Sequence, residues 1–539
     1  MSAALDTVFA YHERTKHHFN RYAAGPGELD WITQPDPFRR FAGCPLLSLP
    51  LLGDEQAGVR YVDLYASDAI PAKPLNVESL AALLELSFGI SAWKQYGSNR
   101  WALRCNPSSG NLHPTEAYVA VQNCQGIADG IHHYVSVDHT LEQRCSFAER
   151  TALLPNGSFL VGLSAIHWRE AWKYGERAYR YCQHDAGHAI ATVRYAAATL
   201  GWHAHVLSDW SDKAVARLLG LDRADDFTGA EHESPDVMLL VTTVPTRDTI
   251  DSALLVESTT RWAGQANTLS AHHAHHWPVI DAVSQACTKP QTIHTPWRQP
   301  SRPEPLPSPC QASAAQIIKQ RRSAQQFDGV TSITAATFFR LLDLTLPRQG
   351  IPPWDAITWA PRVHLVLFVH RVEGVSPGVY LLPRCDRFEK TIRDELASDF
   401  RWEPVETCPA HLHVFRMVAG DARQAARVLS CHQDIAADGA FSVGMIAEFE
   451  SHLTQTPWVY RQLFWEAGII GQVLYLESEA AGVRGTGIGC YFDDEVHKLL
   501  GIQGRSLQSL YHFTVGGAVA DDRLQTLAGY GHLNRASQT

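Results

Sequence analysis

The chain contains one stretch of sequence twice, and this repeat constrains its fold more than any other feature. Residues 179–221 align without a gap on residues 460–502. A repeat of this length indicates one structural unit encoded twice, and 539 residues are too many for a single hydrophobic core. We therefore expect two domains of one fold. The first-copy positions with an identical partner are Tyr179, Arg180, Ala186, Gly187, Gly201, Asp212, Val215, Leu218, Leu219 and Gly220.

Each copy has the pattern of a long helix, a short extended stretch and a second helix. Gly201 and Gly482 end the long helices, and Asp212 and Asp493 begin the second ones. Strand-like runs of β-branched and aromatic residues recur outside the repeat, at residues 117–121, 237–241, 363–369 and 511–515. These patterns predict an α+β unit.

A glycine lies inside the long helix of both copies, at Gly187 and Gly468. Glycine in a helix costs about 1 kcal/mol relative to alanine. Its presence in both copies therefore predicts close packing, either of a second backbone in a tight helix crossing or of a flat ligand.

The proline content places the boundary between the two units. Residues 262–313 carry eight prolines and little periodicity, which is typical of a linker or a wrapping arm. We expect a first domain at residues 1–261 and a second at residues 314–539.

Composition and charge exclude several classes of protein. The formal charge of -10 comes from interspersed residues and leaves no basic stripe for nucleic acid. No run approaches the roughly 18 apolar residues of a membrane span, and residues 1–18 lack the apolar centre of a signal peptide. The eleven cysteines form no C-x-x-C pair. We expect a cytoplasmic protein without a membrane or nucleic-acid partner.

Three short stretches are candidates for binding a ligand. Residues 321–323 offer two arginines and a serine, which suit a phosphate dianion, although adjacent arginines often form a solvated face. Residues 107–114 form a loop of small polar residues that suits either a polar ring edge or a surface turn. Residues 485–489 carry three glycines that would let a planar ligand approach the backbone. The first copy has no glycine at the aligned residues 204–208.

Together these stretches resemble the nitroreductase superfamily, most closely its SagB/ThcOx-type dehydrogenase branch in a two-copy form. The matching strings are R-R-S-x-x-x-F, P-S-S-G-N-L-H-P-T-E and G-T-G-I-G-x-x-F-D-D-E-V-x-K-L-L-G-I. The family fold is a dimer of α+β domains that holds FMN at the subunit interface. The resemblance therefore implies two fused domains that form an intramolecular pseudo-dimer around FMN. Such a chain can hold its cofactor as a monomer.

The resemblance also assigns cofactor-binding residues. Arg321 and Ser323 would hold the FMN phosphate and ribityl chain with support from Arg322, and the Gly487 and Gly489 amides would face the flavin N5 and O4 edge. The family usually has a second cation at the position of Gln325. The other residues that the resemblance places near FMN are Gly485, Thr486, Ile488, Arg523 and, from the other half, Pro107, Ser108, Ser109 and Asn111.

Lys173 and Tyr174 resemble the lysine-tyrosine pair of azoline dehydrogenases, and a buried lysine beside a tyrosine can accept a proton. A snorkelling lysine beside a packed tyrosine is the alternative interpretation. No metal is expected, because residues 272–276 carry four histidines in the linker without a nearby cysteine or carboxylate cluster.

The resulting expectation is an FMN-dependent oxidoreductase acting on a small-molecule or peptide substrate. Either NAD(P)H drives reduction of an acceptor, or an azoline or similar substrate is dehydrogenated with oxygen as the acceptor. One FMN per chain is expected, because residues 354–361 replace the serine loop in the second copy and carry two tryptophans. The alternative is a catalytically decayed flavin-binding or scaffold protein that acts through protein partners.

Overall fold

The computed structural model describes residues 3–53, 57–66, 69–148, 152–246, 249–293 and 297–533. No helix in these ranges is both long and apolar enough to cross a membrane. The helices are α1 (Ala3–Arg14), α2 (Val77–Phe88), α3 (His167–Tyr174), α4 (Ala178–Thr199), α5 (Asp212–Leu219), α6 (Ser252–Glu257), α7 (Pro278–Ala286), α8 (Ala314–Gln320), α9 (Ala335–Asp343), α10 (Asp386–Glu395), α11 (Arg423–Leu429), α12 (Ile435–Asp438), α13 (Glu450–Leu453), α14 (Val459–Ala480) and α15 (Asp493–Leu500).

The strands form two large antiparallel sheets with the same central order. The bounds of the strands are β1 (Phe41–Ala42), β2 (Leu46–Ser48), β3 (Ile90–Tyr96), β4 (Asn99–Arg104), β5 (Thr115–Val121), β6 (Gly130–Val135), β7 (Thr140–Phe147), β8 (Ser158–Ala165), β9 (His203–Val206), β10 (Ser234–Thr242), β11 (Thr259–Thr260), β12 (Gln265–Ala266), β13 (Ile333–Thr334), β14 (Val363–Val369), β15 (Val372–Glu373), β16 (Gly378–Leu382), β17 (Glu403–Pro404), β18 (Phe415–Ala419), β19 (Phe441–Glu448), β20 (Arg484–Ile488), β21 (Leu507–Gly516) and β22 (Gln525–Ala528). The strand order of the first sheet is β11-β7-β6-β5-β8-β10-β9, and that of the second is β17-β18-β16-β14-β19-β21-β20.

These bounds confirm the elements predicted from the repeat. Helices α4 and α14 end just before Gly201 and Gly482, whose φ angles of 68° and 76° are left-handed. Helices α5 and α15 begin at Asp212 and Asp493. The four predicted strands lie within β5, β10, β14 and β21. The mixed α+β prediction is therefore correct.

The long helices α4 and α14 cross in the centre of the molecule at their glycines. A Cβ atom on Gly187 would lie 2.2 Å from the carbonyl oxygen of Trp465, and one on Gly468 would lie 2.2 Å from that of His184. His184 and Trp465 are themselves aligned positions of the repeat, so the crossing is reciprocal. The glycines serve a tight helix crossing and not a flat ligand.

The repeated arginines and aspartates form reciprocal ion pairs between the halves. Arg180 Nη1 donates to Asp493 Oδ1 at 2.7 Å, and Arg461 Nη2 donates to both oxygens of Asp212 at 2.8 Å. All four side chains are buried. Buried charges are tolerated only when they are paired and hydrogen-bonded, which explains why both copies keep the pair.

Each sheet is covered on both faces. Val119 of β5 faces the central core that contains α4 and α14, whereas the preceding Tyr118 faces an outer core closed by α5. Leu367 and Phe368 of β14 repeat this alternation in the second sheet. The central core includes residues of both halves, so the two sheets are joined through the crossed helices.

Two further segments tie the halves together. Strand β22, near the end of the chain, pairs with β3, which pairs in turn with β4. The proline-rich segment 262–313 contains helix α7 and contacts both halves, because Lys289 Nζ donates to the Trp210 carbonyl at 2.7 Å and Trp297 N–H donates to the Thr358 carbonyl at 2.9 Å.

Candidate functional site

A cavity of about 1500 Å³ lies between the two halves. The three stretches singled out in the sequence, more than a hundred residues apart from one another, all contribute to its wall. The predicted site residues that line it are Pro107, Ser108, Ser109, Asn111, Tyr174, Arg321, Arg322, Ser323, Gln325, Gly487, Ile488 and Gly489.

The polar loop at residues 107–114 has a fixed conformation. Gly110 and Asn111 both adopt left-handed backbone angles, with φ of 58° and 61°. The Ser108 hydroxyl accepts a hydrogen bond from His113 N–H at 2.8 Å, and Asn111 Nδ2 donates to the Ala102 carbonyl at 2.9 Å. These internal bonds hold the loop as a preformed wall of the cavity.

Arg321 and Arg322 place two positive charges in the opposite wall without a carboxylate partner. Arg321 donates to the carbonyl oxygens of Cys105 and Arg104 at 3.3 and 3.2 Å, and its guanidinium lies 5.0 Å from the Tyr475 ring centroid. Among the described residues, neither arginine forms an ion pair. Burial lowers the pKa of both groups, that of Arg322 to about 10 with a further contribution from Arg321. An anion bound beside the two guanidinium groups would offset the repulsion between their positive charges.

Ser323 and the glycine stretch meet at one tyrosine. Tyr475 OH lies 2.8 Å from Ser323 Oγ and accepts a hydrogen bond from Gly487 N–H at 2.9 Å. A Cβ on Gly487 would lie 1.9 Å from Tyr511 OH, and one on Gly489 would lie 2.2 Å from the Tyr181 ring. The glycines thus admit the protein's own aromatic rings against this strand, which the sequence did not indicate.

Three of the predicted cofactor-binding residues, Gly485, Thr486 and Arg523, do not line the cavity. Thr486 Oγ1 donates to the Ala324 carbonyl at 2.7 Å, and Gly485 packs under the Phe513 ring. Arg523 is 74% exposed and pairs with Asp521 at 2.8 Å. Neighbours of Arg523 line the cavity but Arg523 itself does not, because its side chain points to solvent from an exposed loop.

Lys173 and Tyr174 end helix α3 next to the polar loop. A Cβ on Gly110 would lie 2.6 Å from Tyr174 OH and 3.2 Å from Lys173 Nζ. Burial, followed by the nearby Glu170 charge, raises the pKa of Tyr174. The tyrosine lines the cavity, whereas the lysine amine lies behind the loop and is not part of the wall.

The sequence did not identify Asp185, which also lines the cavity. It lies in the buried helix α4, and burial raises its pKa to about 7. Its neighbour Glu170 is buried too, and burial followed by the Asp185 charge raises the Glu170 pKa well above its usual range. The repeat held a signal, because the residue aligned with Asp185 is Glu466, and both copies keep an acid within a helix that is otherwise mostly apolar.

Cys490 is a second residue of the wall that the sequence did not identify. A hydrogen bond with Cys431, and then one with His17, lower the pKa of Cys490 to about 5. His17 Nδ1 accepts from Ala23 N–H at 2.9 Å, so the ring carries its proton on Nε2 and can donate to a thiolate. These neighbours favour the thiolate form of Cys490 at neutral pH.

Residues 354–361 of the second copy pack against first-copy residues that align with the glycine stretch of the cavity wall. The Trp354 ring is fully buried there, and Ser208 shares a hydrogen bond with Thr358. Asp355 accepts two hydrogen bonds from Arg194, each of 2.7 Å. Residues 354–361 thus close the space between helix α4 and strand β9.

Within the described ranges, one group of side chains has the spacing of a metal site: His364, Cys385 and Glu448. His364 Nδ1 accepts a hydrogen bond from Arg384 N–H at 3.0 Å. The neutral ring therefore carries its proton on Nε2, the atom that faces Glu448 at 3.6 Å. A metal ligand needs that lone pair free, so the tautomer disfavours a metal here.

Comparisons with known proteins agree with this architecture. Residues 72–230 match the Nitroreductase family model. A protein of Methanocaldococcus jannaschii and a crystal structure from Anabaena variabilis, both described as "putative nitroreductase", are similar to this chain. The first is 21% identical over 157 residues, 28% of this chain and 76% of that protein. The second is 21% identical with a TM-score of 0.64, over 95% of this chain and 99% of that chain. The fold is therefore nitroreductase-like.

Proposed function

We propose that this chain, which carries a nitroreductase-family domain in residues 72–230, is an FMN-dependent oxidoreductase. Two nitroreductase-like domains, at residues 1–261 and 314–539, would form an intramolecular pseudo-dimer with one flavin between them. The observation that carries the proposal is a pair of cations, Arg321 and Arg322, that line a large cavity between the halves and form no ion pair with a carboxylate of the described residues. Such a pair favours a ligand with an anionic group.

The donors in the wall fit FMN. Arg321 and Arg322 would hold the phosphate, and Ser323 with Gln325 would bind the ribityl chain. Gly487 N–H donates to Tyr475 OH, so this amide would face the edge of a planar ring after the ring displaces the tyrosine hydroxyl. The polar loop would supply contacts from the other half. Gly485 and Thr486 support this wall from behind, through Phe513 and Ala324.

When bound, the flavin supplies the two-electron chemistry, so the protein needs no nucleophilic triad. The chain's own residues position the substrate, exclude water and move a proton. Lys173 Nζ and Tyr174 OH, at the end of α3, are the groups proposed to take the proton from a substrate held against the polar loop.

The proposed substrate is a small molecule or a peptide. Reduced nicotinamide would enter the same cavity as a transient reductant, because the sequence has no dinucleotide-binding fingerprint. All eleven cysteines are unpaired, which supports a reducing cytoplasm as the compartment. The SagB/ThcOx-type assignment belongs to this proposal and rests on the sequence strings.

Flavin release tests the proposal directly. The full chain should purify yellow, and heat denaturation should release FMN and not FAD. Anaerobic addition of NADH and NADPH in separate samples should bleach the absorbance if nicotinamide is the reductant. Colourless protein that takes up no FMN on reconstitution would contradict the proposal and favour the alternative, a decayed scaffold protein.

A further inference from the structure

Asp185 is held against the polar loop by three contacts. Its carboxylate accepts hydrogen bonds from Ser109 N–H at 3.1 and 3.2 Å and from the Ser109 hydroxyl at 3.1 Å. The side chain is 1% exposed, and both Asp185 and Ser109 line the cavity. A carboxyl group of the buried helix α4 therefore lies at the wall of the ligand space, hydrogen-bonded to one serine of that wall.

No cation neutralises this carboxyl group among the described residues. The ionisable groups that face it are Glu170 and Tyr174 from α3, Cys182 from its own helix and Tyr511 from β21. Lys173 acts on Glu170 and not on Asp185.

Glu170 is the closest comparable group. It is fully buried, one of its oxygens has no hydrogen-bond partner, and the other lies 3.5 Å from Ser108 Oγ. Two buried carboxyl groups beside adjacent serines cannot both ionise cheaply. Burial, followed by the Asp185 charge, raises the Glu170 pKa well above its usual range, and burial raises the Asp185 pKa to about 7.

The second copy shows what a purely structural acid requires at this position. The aligned Glu466 also accepts backbone N–H groups before the central strand, from Arg362 at 3.0 Å and Val363 at 3.1 Å. It forms in addition a buried ion pair with Arg384. Glu466, which does not line the cavity, is neutralised by Arg384, whereas Asp185, which lines the cavity, has no cation beside it in the described part of the chain. If the acid only held the neighbouring loop in place, that role would not explain why one copy has the cation and the other lacks it.

We propose that Asp185 is the proton reservoir of the flavin reaction, exchanging protons with the cavity through the Ser109 hydroxyl. The inference rests on the proposed function. In substrate oxidation, a substrate C–H bond breaks, and its hydrogen with the electron pair passes to the flavin. On this route, which replaces the Lys173–Tyr174 pair as the proton acceptor, the adjacent N–H, O–H or S–H bond releases its proton to Ser109 Oγ as that hydroxyl gives its own proton to Asp185. In substrate reduction the same transfers run backwards, so that atoms and charge balance.

The test compares flavin midpoint potentials across pH 5–9 in the full FMN-loaded chain, measured by equilibration with a redox dye. The added negative charge of the reduced flavin should raise the Asp185 pKa above its value of about 7, so the parent curve should bend from pH 7 upward in addition to any bend that the flavin itself contributes. Asp185→Asn, which keeps the shape of the group but cannot exchange a proton at neutral pH, should lose the bend that Asp185 contributes. Asp236→Asn is the matched control, since burial also raises the Asp236 pKa to about 7 but Asp236 binds Gln183 away from the cavity.

Ser109→Ala separates the relay from the reservoir. It keeps Asp185 and the backbone N–H bond but removes a hydroxyl bond that lowers the Asp185 pKa, so the bend contributed by Asp185 should move to higher pH without being lost. At full FMN occupancy, flavin reoxidation by a nitroarene should slow by about 100-fold. An Asp185→Asn curve that superimposes on that of the parent, or a Ser109→Ala protein that reoxidises at the parent rate, overturns the proposal. If the parent binds no FMN, the proposed function fails first and the relay fails with it.

Discussion

Gly187 of helix α4 lies with its Cα 3.0 Å from the position that a Cβ on Gly468 of helix α14 would occupy. The two helices can approach this closely only because neither residue has a side chain at the crossing. The contact joins the two copies of the repeat at the centre of the molecule, directly beside His184 and Trp465.

Gly187→Ala should therefore destabilise the protein, although alanine favours a helix by about 1 kcal/mol. The added methyl group would meet backbone atoms, which cannot move aside as a side chain can. We expect a net loss of about 1–3 kcal/mol in the free energy of unfolding, measured by denaturant titration. Gly25→Ala is the control, because no atom lies within 4 Å of a Cβ there. Equal stability of both variants would contradict the crossing.

Arg321→Ala should weaken FMN binding. A charge-assisted hydrogen bond contributes about 1.5–3 kcal/mol, so the dissociation constant should rise by one to two orders of magnitude, as measured by fluorescence titration of the flavin-free protein. Arg523→Ala should change the constant little, since that side chain points to solvent. A larger effect at Arg523 than at Arg321 would place the phosphate elsewhere.

The chain should bind one FMN. The cavity is lined by both halves, whereas residues 354–361 pack against the first-copy residues that align with its glycine stretch. Flavin absorbance after denaturation, divided by the protein concentration from amino-acid analysis, should give a ratio near one. A ratio near two would show that the space beside residues 354–361 opens to admit a flavin.

Cys490 should react with iodoacetamide at neutral pH as a preformed thiolate. Hydrogen bonds with Cys431 and His17 lower its pKa to about 5, so its alkylation rate should be level above about pH 6, whereas an unperturbed thiol keeps gaining rate up to about pH 8.5. Cys408 is the comparison, because burial raises its pKa to about 11. Peptide mass spectrometry after timed alkylation measures both. A Cys490 rate that still rises between pH 7 and 9 would contradict the lowered pKa.

Much of the fold could be predicted from the repeat, because helices and strands follow from local patterns. The contacts made by residues that are identical in the two copies could not be predicted. Arg180 pairs with Asp493 and Arg461 with Asp212, so each of these four residues forms its ion pair with the other copy. An alignment shows that such positions matter, but only the folded chain shows their partners.

The arginine pair, polar loop and glycine stretch that the sequence singled out line one cavity, and their binding of FMN stays a prediction. The position of Arg523 could not be predicted, since an exposed loop turns its side chain by local pairing with Asp521. The repeat marks Asp185 by its alignment with Glu466, but its burial and its contact with Ser109 depend on packing that the sequence does not show.

Strand β22 belongs to the second half of the chain, yet it pairs with β3 of the first half, in the hairpin whose other strand walls the cavity. While the second half is still being made, that hairpin has an unpaired edge. Residues 525–528 can close this small sheet only once they have left the ribosome. The cavity is therefore completed by the second half, and a cofactor that needs both walls can be captured only when both halves are present.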